Sequence, residues 1–271
     1  MIGSVGRLAT TNIQLQEAKV AFERMYEFAS VEPEINQSNI GIIQKLGEIN
    51  SLTIKDLSFR FAGKSQLLKD VSLTIRKGEI TVLLGEVGSG KSILLQILQK
   101  FQTYEAGEVL INENISLKNI ASDTWRSKIG VVPQEIKIFN GTLLDNIILG
   151  NIIEEGEKAI YFCETLGFKH FFETLPQGYL TLVGEEGINL SGGQKQLLAL
   201  ARALYHQPNI LFLDEATSAM DSKTEQFMID LLEKLKSNLA ILIITHNKNI
   251  AEIAEDIYEL ENGMTYQTQT L

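Results

Sequence analysis

Cysteine and proline are scarce in this 271-residue chain, with one Cys and four Pro, and cations are outnumbered, 24 Lys and Arg against 34 Asp and Glu. Each shortage excludes something. Cys163 has no partner for an internal disulfide, which rules out a disulfide-framed secreted module and suits a reducing compartment. It reads as a small apolar residue on a helix. A net charge of -10 works against a surface that coats nucleic acid, because binding phosphates needs a basic face. No stretch approaches the ~20 apolar residues that cross a bilayer, and the densest runs, such as Ile241 to Ile244, are strand-length. Glu17, Lys19 and Glu23 interrupt the N-terminal region early, against a signal peptide, so the chain by itself is expected to be soluble. At about 150 residues per domain it is one large domain or two modest ones.

What is present is patterned. Leu8, Leu15, Ala18, Phe22, Met25 and Ala29 recur at three-, four- and seven-residue steps, which predicts an amphipathic helix that Pro33 brings to an end. Residues 35–49 have no period and read as a linker. Leu52 to Phe61 and Val71 to Ile75 largely alternate apolar and polar residues, predicting two antiparallel strands. Ile80 to Leu84, Ile210 to Leu213 and Leu239 to Thr245 are dense apolar runs, as in strands buried on both faces. Shorter strands fall around Glu108 to Ile111 and Ile129 to Val132, and helices over Ser92 to Lys100, Glu157 to Leu166, Gly192 to Tyr205 and Ser222 to Leu235. Strands alternating with helices predict a largely parallel α/β sheet covered on both sides. The helical block from Gln134 to Leu204 lacks strand patterning and looks inserted.

The strongest single signal is Gly85-Glu86-Val87-Gly88-Ser89-Gly90-Lys91-Ser92, placed between a buried strand and a helix. Glycines let successive backbone N–H groups curl around a phosphate, and the helix N-terminus behind them adds partial positive charge. Lys91 is expected to reach the β- and γ-phosphates and the Ser92 hydroxyl to ligate Mg²⁺. The strand Ile210 to Leu213 runs directly into Asp214 and Glu215. Asp214 at its end can hold Mg²⁺ through water, and Glu215, one residue further out, can polarise an attacking water. These two features establish nucleoside triphosphate chemistry without naming a system.

Leu190-Ser191-Gly192-Gly193-Gln194-Lys195-Gln196 resembles the signature motif of ATP-binding cassette (ABC) proteins, and it stands shortly before the Asp214-Glu215 strand as that family requires. Other parts match in order. Phe61 resembles the aromatic residue that stacks on adenine, Gln134 the glutamine of the Q-loop, Ser218-Ala219-Met220-Asp221 the D-loop, and His246 the switch histidine. The resemblance covers about residues 50 to 265. It implies a P-loop NTPase core with a RecA-like, mainly parallel sheet, an antiparallel β subdomain, and an α-helical subdomain inserted at about 135–205. It further implies ATP and Mg²⁺ as cofactors. Ser92, Gln134 and Asp214 would hold the metal, Glu215 would be the general base, and His246 would contact the γ-phosphate. Ser191, Gly192, Gly193 and Gln194 would bind the γ-phosphate held on the loop of a second cassette, so that two cassettes sandwich ATP head to tail, and Asp221 of the D-loop would belong to the nucleotide-binding set. His170 and His206 match no motif.

Three segments resemble exporter-type ABC proteins in particular. Asn12 to Glu34 is similar to the cytoplasmic end of the last membrane helix, so residues 1–34 read as a helical extension ahead of a cassette at 50–271. Phe139 to Ile147 resembles the segment after the Q-loop. Leu182 to Gly187 resembles the X-loop, although Glu186 replaces the arginine common there. The partners implied are a second cassette and the transmembrane domain of an exporter, at the cytoplasmic face of a membrane (the inner membrane if bacterial), with no nucleic acid. The cargo would be a peptide, a protein or a lipid. The alternative is a soluble, non-transport ABC ATPase acting on nucleic acid or ribosomes, but such proteins usually carry paired cassettes or a coiled-coil insertion.

Overall fold

The structure, a computed structural model, describes residues 2–30, 45–185 and 187–268. The chain divides into two units, residues 1–38 and 39–271. The first contains helix α1 (Ile2–Ala29). Its side chains are exposed throughout residues 11–30. Leu15, Ala18, Phe22, Met25 and Ala29 share one face, but Ile13 and Val20 stand on the other side, so the helix carries two apolar lines. It is less one-sided than the expected amphipathic helix, because the three-, four- and seven-residue steps pass over Ile13 and Val20.

In chain order the second unit runs β1 (Ser51–Arg60), β2 (Gln66–Arg76), β3 (Ile80–Leu84), α2 (Lys91–Leu98), β4 (Ala106–Ile111), β5 (Ile115–Ser116), α3 (Ser122–Arg126) and β6 (Ile129–Val132). There follow β7 (Gly141–Thr142), α4 (Leu143–Ile148), α5 (Ile152–Thr165), α6 (Lys169–Phe172), β8 (Leu182–Val183) and α7 (Gly192–Tyr205). The last elements are β9 (Ile210–Asp214), α8 (Ser222–Leu235), β10 (Ala240–Thr245), β11 (Asp256–Glu261) and β12 (Met264–Thr268). A four-stranded antiparallel sheet has the order β2-β1-β4-β5, and a six-stranded sheet the order β12-β11-β3-β10-β9-β6. Within the larger sheet every pair is parallel except β11 with β12.

The two-residue period of a strand sorts the larger sheet's side chains into two cores. Ile210, Phe212, Ala240, Leu242 and Ile244 face the antiparallel sheet and α2. Leu211, Leu213, Ile241 and Ile243 face the helical side, where they pack with α4, α7 and α8. Both faces are covered, so every residue of β9 and β10 is buried, which is why these strands are dense apolar runs. Leu143, Ile147, Phe168 and Phe172 of the helical block belong to the same cluster as the sheet's own residues, so the insertion has no separate core.

Three features differ from the sequence expectation. Leu46 and Ile49 are buried in the core shared with the antiparallel sheet, so packing begins ahead of residue 50, while residues 35–44 of the expected linker lie outside the described residues. The helical block contains a small antiparallel β7-β8 pair, each strand too short for alternation to register. Strands β11 and β12 were not anticipated. Their turn, Asn262-Gly263, has both residues at positive φ, 51° and 82°, the conformation an Asn-Gly pair favours in a hairpin.

Candidate functional site

The topology gathers the chemistry at the carboxyl end of the six-stranded sheet. Strands β3, β10, β9 and β6 are neighbours and parallel, with Leu84 beside Thr245, Ile244 beside Asp214 and Leu213 beside Val132. Their carboxyl ends therefore deliver the glycine-rich loop, His246, the Asp214-Glu215 pair and Gln134 to a common crevice, the place where open parallel sheets bind ligands. Lys91, Ser92, Gln134, Asp214 and Glu215 line one cavity of about 250 Å³, together with Val87, Gly88 and Gly90.

The loop's glycines have distinct reasons. Gly88 and Gly90 are left-handed, at φ 87° and 108°, where an L side chain is strained. Gly85 has an ordinary φ, but a Cβ there would lie 2.7 Å from the Leu260 carbonyl oxygen, so close packing on β11 requires its absence. Helix α2 starts at Gly90 with no side-chain cap, which leaves its first amides open toward the cavity. Lys91, 8% exposed, donates to the Gly85 and Glu86 carbonyls at 2.5 and 2.8 Å, so its ammonium is held inside the loop. Burial pushes its pKa down, against the pull of Glu215 and Asp214. The Ser89 hydroxyl is enclosed in the same loop and has no hydrogen-bond partner among the described residues. An unpaired buried hydroxyl beside uncapped amides is what a phosphate-binding cradle needs.

Asp214 is 8% exposed and its carboxyl pKa is raised by burial and by the neighbouring Glu215 charge, with Lys91 opposing. Glu215 adopts a left-handed backbone, φ 50°, and its N–H donates to Ile244 O at 2.9 Å. Its Oε1 lies 2.9 Å from His246 Nδ1, and Thr245 Oγ1 donates to Oε2 at 3.4 Å. A carboxylate only accepts, so the hydrogen of that contact sits on Nδ1. The Ser92 hydroxyl, Gln134 amide and Asp214 carboxylate form a hard oxygen donor set on one cavity, which fits Mg²⁺, and two carboxylates facing one ammonium leave room for a divalent charge.

The signature residues do not join this cavity. Ser191 caps α7, accepting from Gln194 N at 3.2 Å while Gln194 Oε1 accepts from Ser191 N at 2.9 Å, a reciprocal capping box. Ser191, Gly193 and Gln194 line a second cavity, of about 430 Å³, with Asp221, Lys223 and His170. Gly192 packs on the next turn, where a Cβ would lie 2.6 Å from Ala219 Cβ. Asp221 caps α8, its two oxygens accepting from Thr224 N and Oγ1 at 2.9 and 3.2 Å, while it lines the signature cavity. Phe61 is not brought to the loop cavity. It stands after β1, in a T-shaped pair with Phe59 at 5.0 Å, and is 41% exposed. Glu186, the departure from the exporter pattern, lies outside the described residues.

Two contacts near the site are not legible in the local sequence. Gln196, buried on α7, donates to the Glu215 carbonyl at 3.4 Å, a contact between residues far apart in the chain that no local pattern signals. His170, which matched no motif, contacts Lys223 Nζ at 3.0 Å at the rim of the signature cavity.

A buried parallel strand that turns through glycines into an uncapped helix, beside a parallel strand ending in an acid, defines a P-loop nucleoside triphosphatase. The ABC transporter family pattern matches residues 68–218. The chain belongs to that family, as its ATP-hydrolysing cassette. It is 34% identical over 265 residues to the ATP-dependent lipid A-core flippase of Aromatoleum aromaticum, covering 96% of this chain and 43% of the flippase. It is likewise 34% identical over 266 residues to the alpha-hemolysin translocation ATP-binding protein HlyB of Escherichia coli, covering 97% of this chain and 37% of that protein. A bacterial Atm1-family ABC exporter solved with ATP bound superposes with a TM-score of 0.83 at 27% identity, over 94% of this chain and 44% of the exporter. The chain thus spans less than half the length of these relatives. Among the described residues no helix is long and apolar enough to cross a membrane.

Proposed function

We propose that this cassette powers an exporter by pairing head to tail with a second cassette around ATP. The observation that carries the reading is the division of the motifs. Lys91, Ser92, Gln134, Asp214 and Glu215 share one cavity, while Ser191, Gly193 and Gln194 line another. Phosphates on the loop of one copy would be closed over by the signature helix of the other, an isologous arrangement with two equivalent sites.

In this reading the loop amides and Lys91 bind the β- and γ-phosphates, and Ser92, Gln134 and Asp214 hold Mg²⁺. The metal supplies charge neutralisation on the phosphates. Glu215 accepts a proton from water as the water oxygen bonds to the γ-phosphorus. The bond from that phosphorus to the bridging oxygen breaks, and ADP leaves. His246, 2.9 Å from Glu215, orients the carboxylate. Positioning and charge stabilisation supply most of the acceleration in such chemistry. The transmembrane domain places the cassette at the cytoplasmic face of a membrane. The names of the relatives, a lipid A-core flippase and a hemolysin translocator, support a lipid or protein cargo.

Glu215→Gln tests the reading. The variant is expected to keep ATP binding, lose nearly all phosphate release and form an ATP-stabilised dimer by size-exclusion chromatography. Wild-type turnover in that variant would sink the assignment of the base, and an ATP-bound monomer would sink the pairing.

A further inference from the structure

We propose that Gln196 is a positioning residue for Glu215, carrying the state of the signature helix to the carboxylate that activates water. The proposal rests on Glu215 being the base. Gly192, Gly193 and Gln196 fall on one face of α7, the face that packs on the turn running from Glu215 to Asp221. Both glycines meet Ala219, and Gly193 also meets Met220. Gln196 is the polar group on that face. It is 4% exposed, and its Nε2 donates to the Glu215 carbonyl oxygen at 3.4 Å and to Ser218 Oγ at 3.5 Å. The same carbonyl accepts from Ser218 N at 3.2 Å and Ser218 Oγ at 2.9 Å.

Three observations set this amide apart from packing. Its Oε1 is buried with no partner among the described residues. A side chain present only to fill space would do better without a polar atom, because an unpaired buried acceptor costs stability that an apolar isostere does not. The amide's orientation is settled by chemistry, since the reverse would set Oε1 against the carbonyl oxygen of Glu215. Both of its contacts are longer than the usual 2.7–3.2 Å range, so a small approach of α7 to the turn would tighten them together. Glu215 is at φ 50°, a conformation that a glutamate keeps only when its surroundings hold it. Gln196 and Ser218 hold its peptide from one side, while His246 and Thr245 hold its carboxylate from the other. A phosphate drawn against the start of α7 would therefore reach the base through Gln196.

The experiment uses the 271-residue chain and measures ATP turnover, ATP affinity and thermal unfolding together. Gln196→Met keeps the volume and removes the amide. It is expected to lower kcat about tenfold, with KM for ATP within about twofold and a thermal midpoint that is unchanged or raised. In a Glu215→Gln background the same substitution is expected to add no further loss, because the two residues act as a unit. An unchanged kcat, a kcat loss matched by a fall in thermal midpoint, or full additivity with Glu215→Gln would each overturn the role. If Gln196→Met does not fold, Ser218→Ala, at an exposed position, removes the other side-chain grip on the carbonyl and is expected to lower kcat without raising KM. No change in kcat there overturns the role as well. Wild-type turnover in Glu215→Gln alone would remove the base assignment and this role with it. A normal loss in Glu215→Gln with no effect at Gln196 would remove this role only.

Discussion

Two helix N-termini open on glycine-rich motifs, and they are finished in opposite ways. Helix α2 begins at Gly90 with no side-chain cap, and the loop leading into it holds the unpaired Ser89 hydroxyl. Helix α7 begins at Ser191 with a complete capping box. The first end is held open for a ligand of its own chain. The second is satisfied without one, so the signature helix is already formed in the single chain. In the proposed pairing, a single chain would supply one phosphate cradle and one preformed lid for a second copy.

Substitutions at the two ends should separate these roles. The largest effect is expected from Lys91→Ala, which removes the ammonium held in the cradle. Charge-assisted contacts are worth about 1.5–3 kcal/mol each, so ATP affinity measured on the monomer should fall on the order of 10²-fold. Equal affinity would break the distinction between cradle and lid. Next is Gly192→Ala, whose new Cβ would meet Ala219 Cβ at 2.6 Å. Overpacking of that kind costs about 1–3 kcal/mol, to be read as a lower thermal midpoint with the loop's ATP affinity retained. Ser191→Ala removes the cap and should cost about 1 kcal/mol of stability. It should also slow turnover while leaving monomer affinity untouched, and a loss of monomer affinity would show that the signature serves its own chain.

The smallest effect is expected from Asp214→Asn. Burial and Glu215 raise the Asp214 pKa in the folded chain. A carboxyl raised on folding contributes stability below its unfolded pKa and loses it as pH rises through the folded value, so at neutral pH its charge works against the fold. Asn should raise the thermal midpoint at neutral pH, flatten its pH dependence and weaken Mg²⁺-dependent turnover. A lower midpoint would mean that the contact with Lys91 outweighs burial.

Contiguous chemistry was legible in the sequence. The loop from Gly85 to Ser92, the apolar strand ending in Asp214 and the Ser-Gly-Gly-Gln start of α7 each state their function within a few residues, because backbone geometry and side-chain chemistry coincide there. Other features had signals that went unread. The alternation of Asp256 to Glu261 followed by Asn262-Gly263 announces the β11-β12 hairpin, and Asp221 stands where an N-cap belongs. Still others had no local signal. Leu46 and Ile49 sit in unpatterned sequence, and their burial depends on the sheet they join. Ile13 and Val20 blur the sidedness of α1, a helix whose other face the seven-residue step describes well.

The sequence by itself determined the class of chemistry and the residue types that perform it, since phosphate cradles, carboxylate pairs and capped helix starts are properties of short segments. Only the tertiary structure decided which of them work together. His246 and Glu215 meet because β10 lies beside β9, and Gln196 reaches the Glu215 carbonyl because α7 packs glycine-side down on the turn after β9. Strand order and helix packing are set by burying two apolar faces at once, a condition satisfied by the whole chain and by no segment of it.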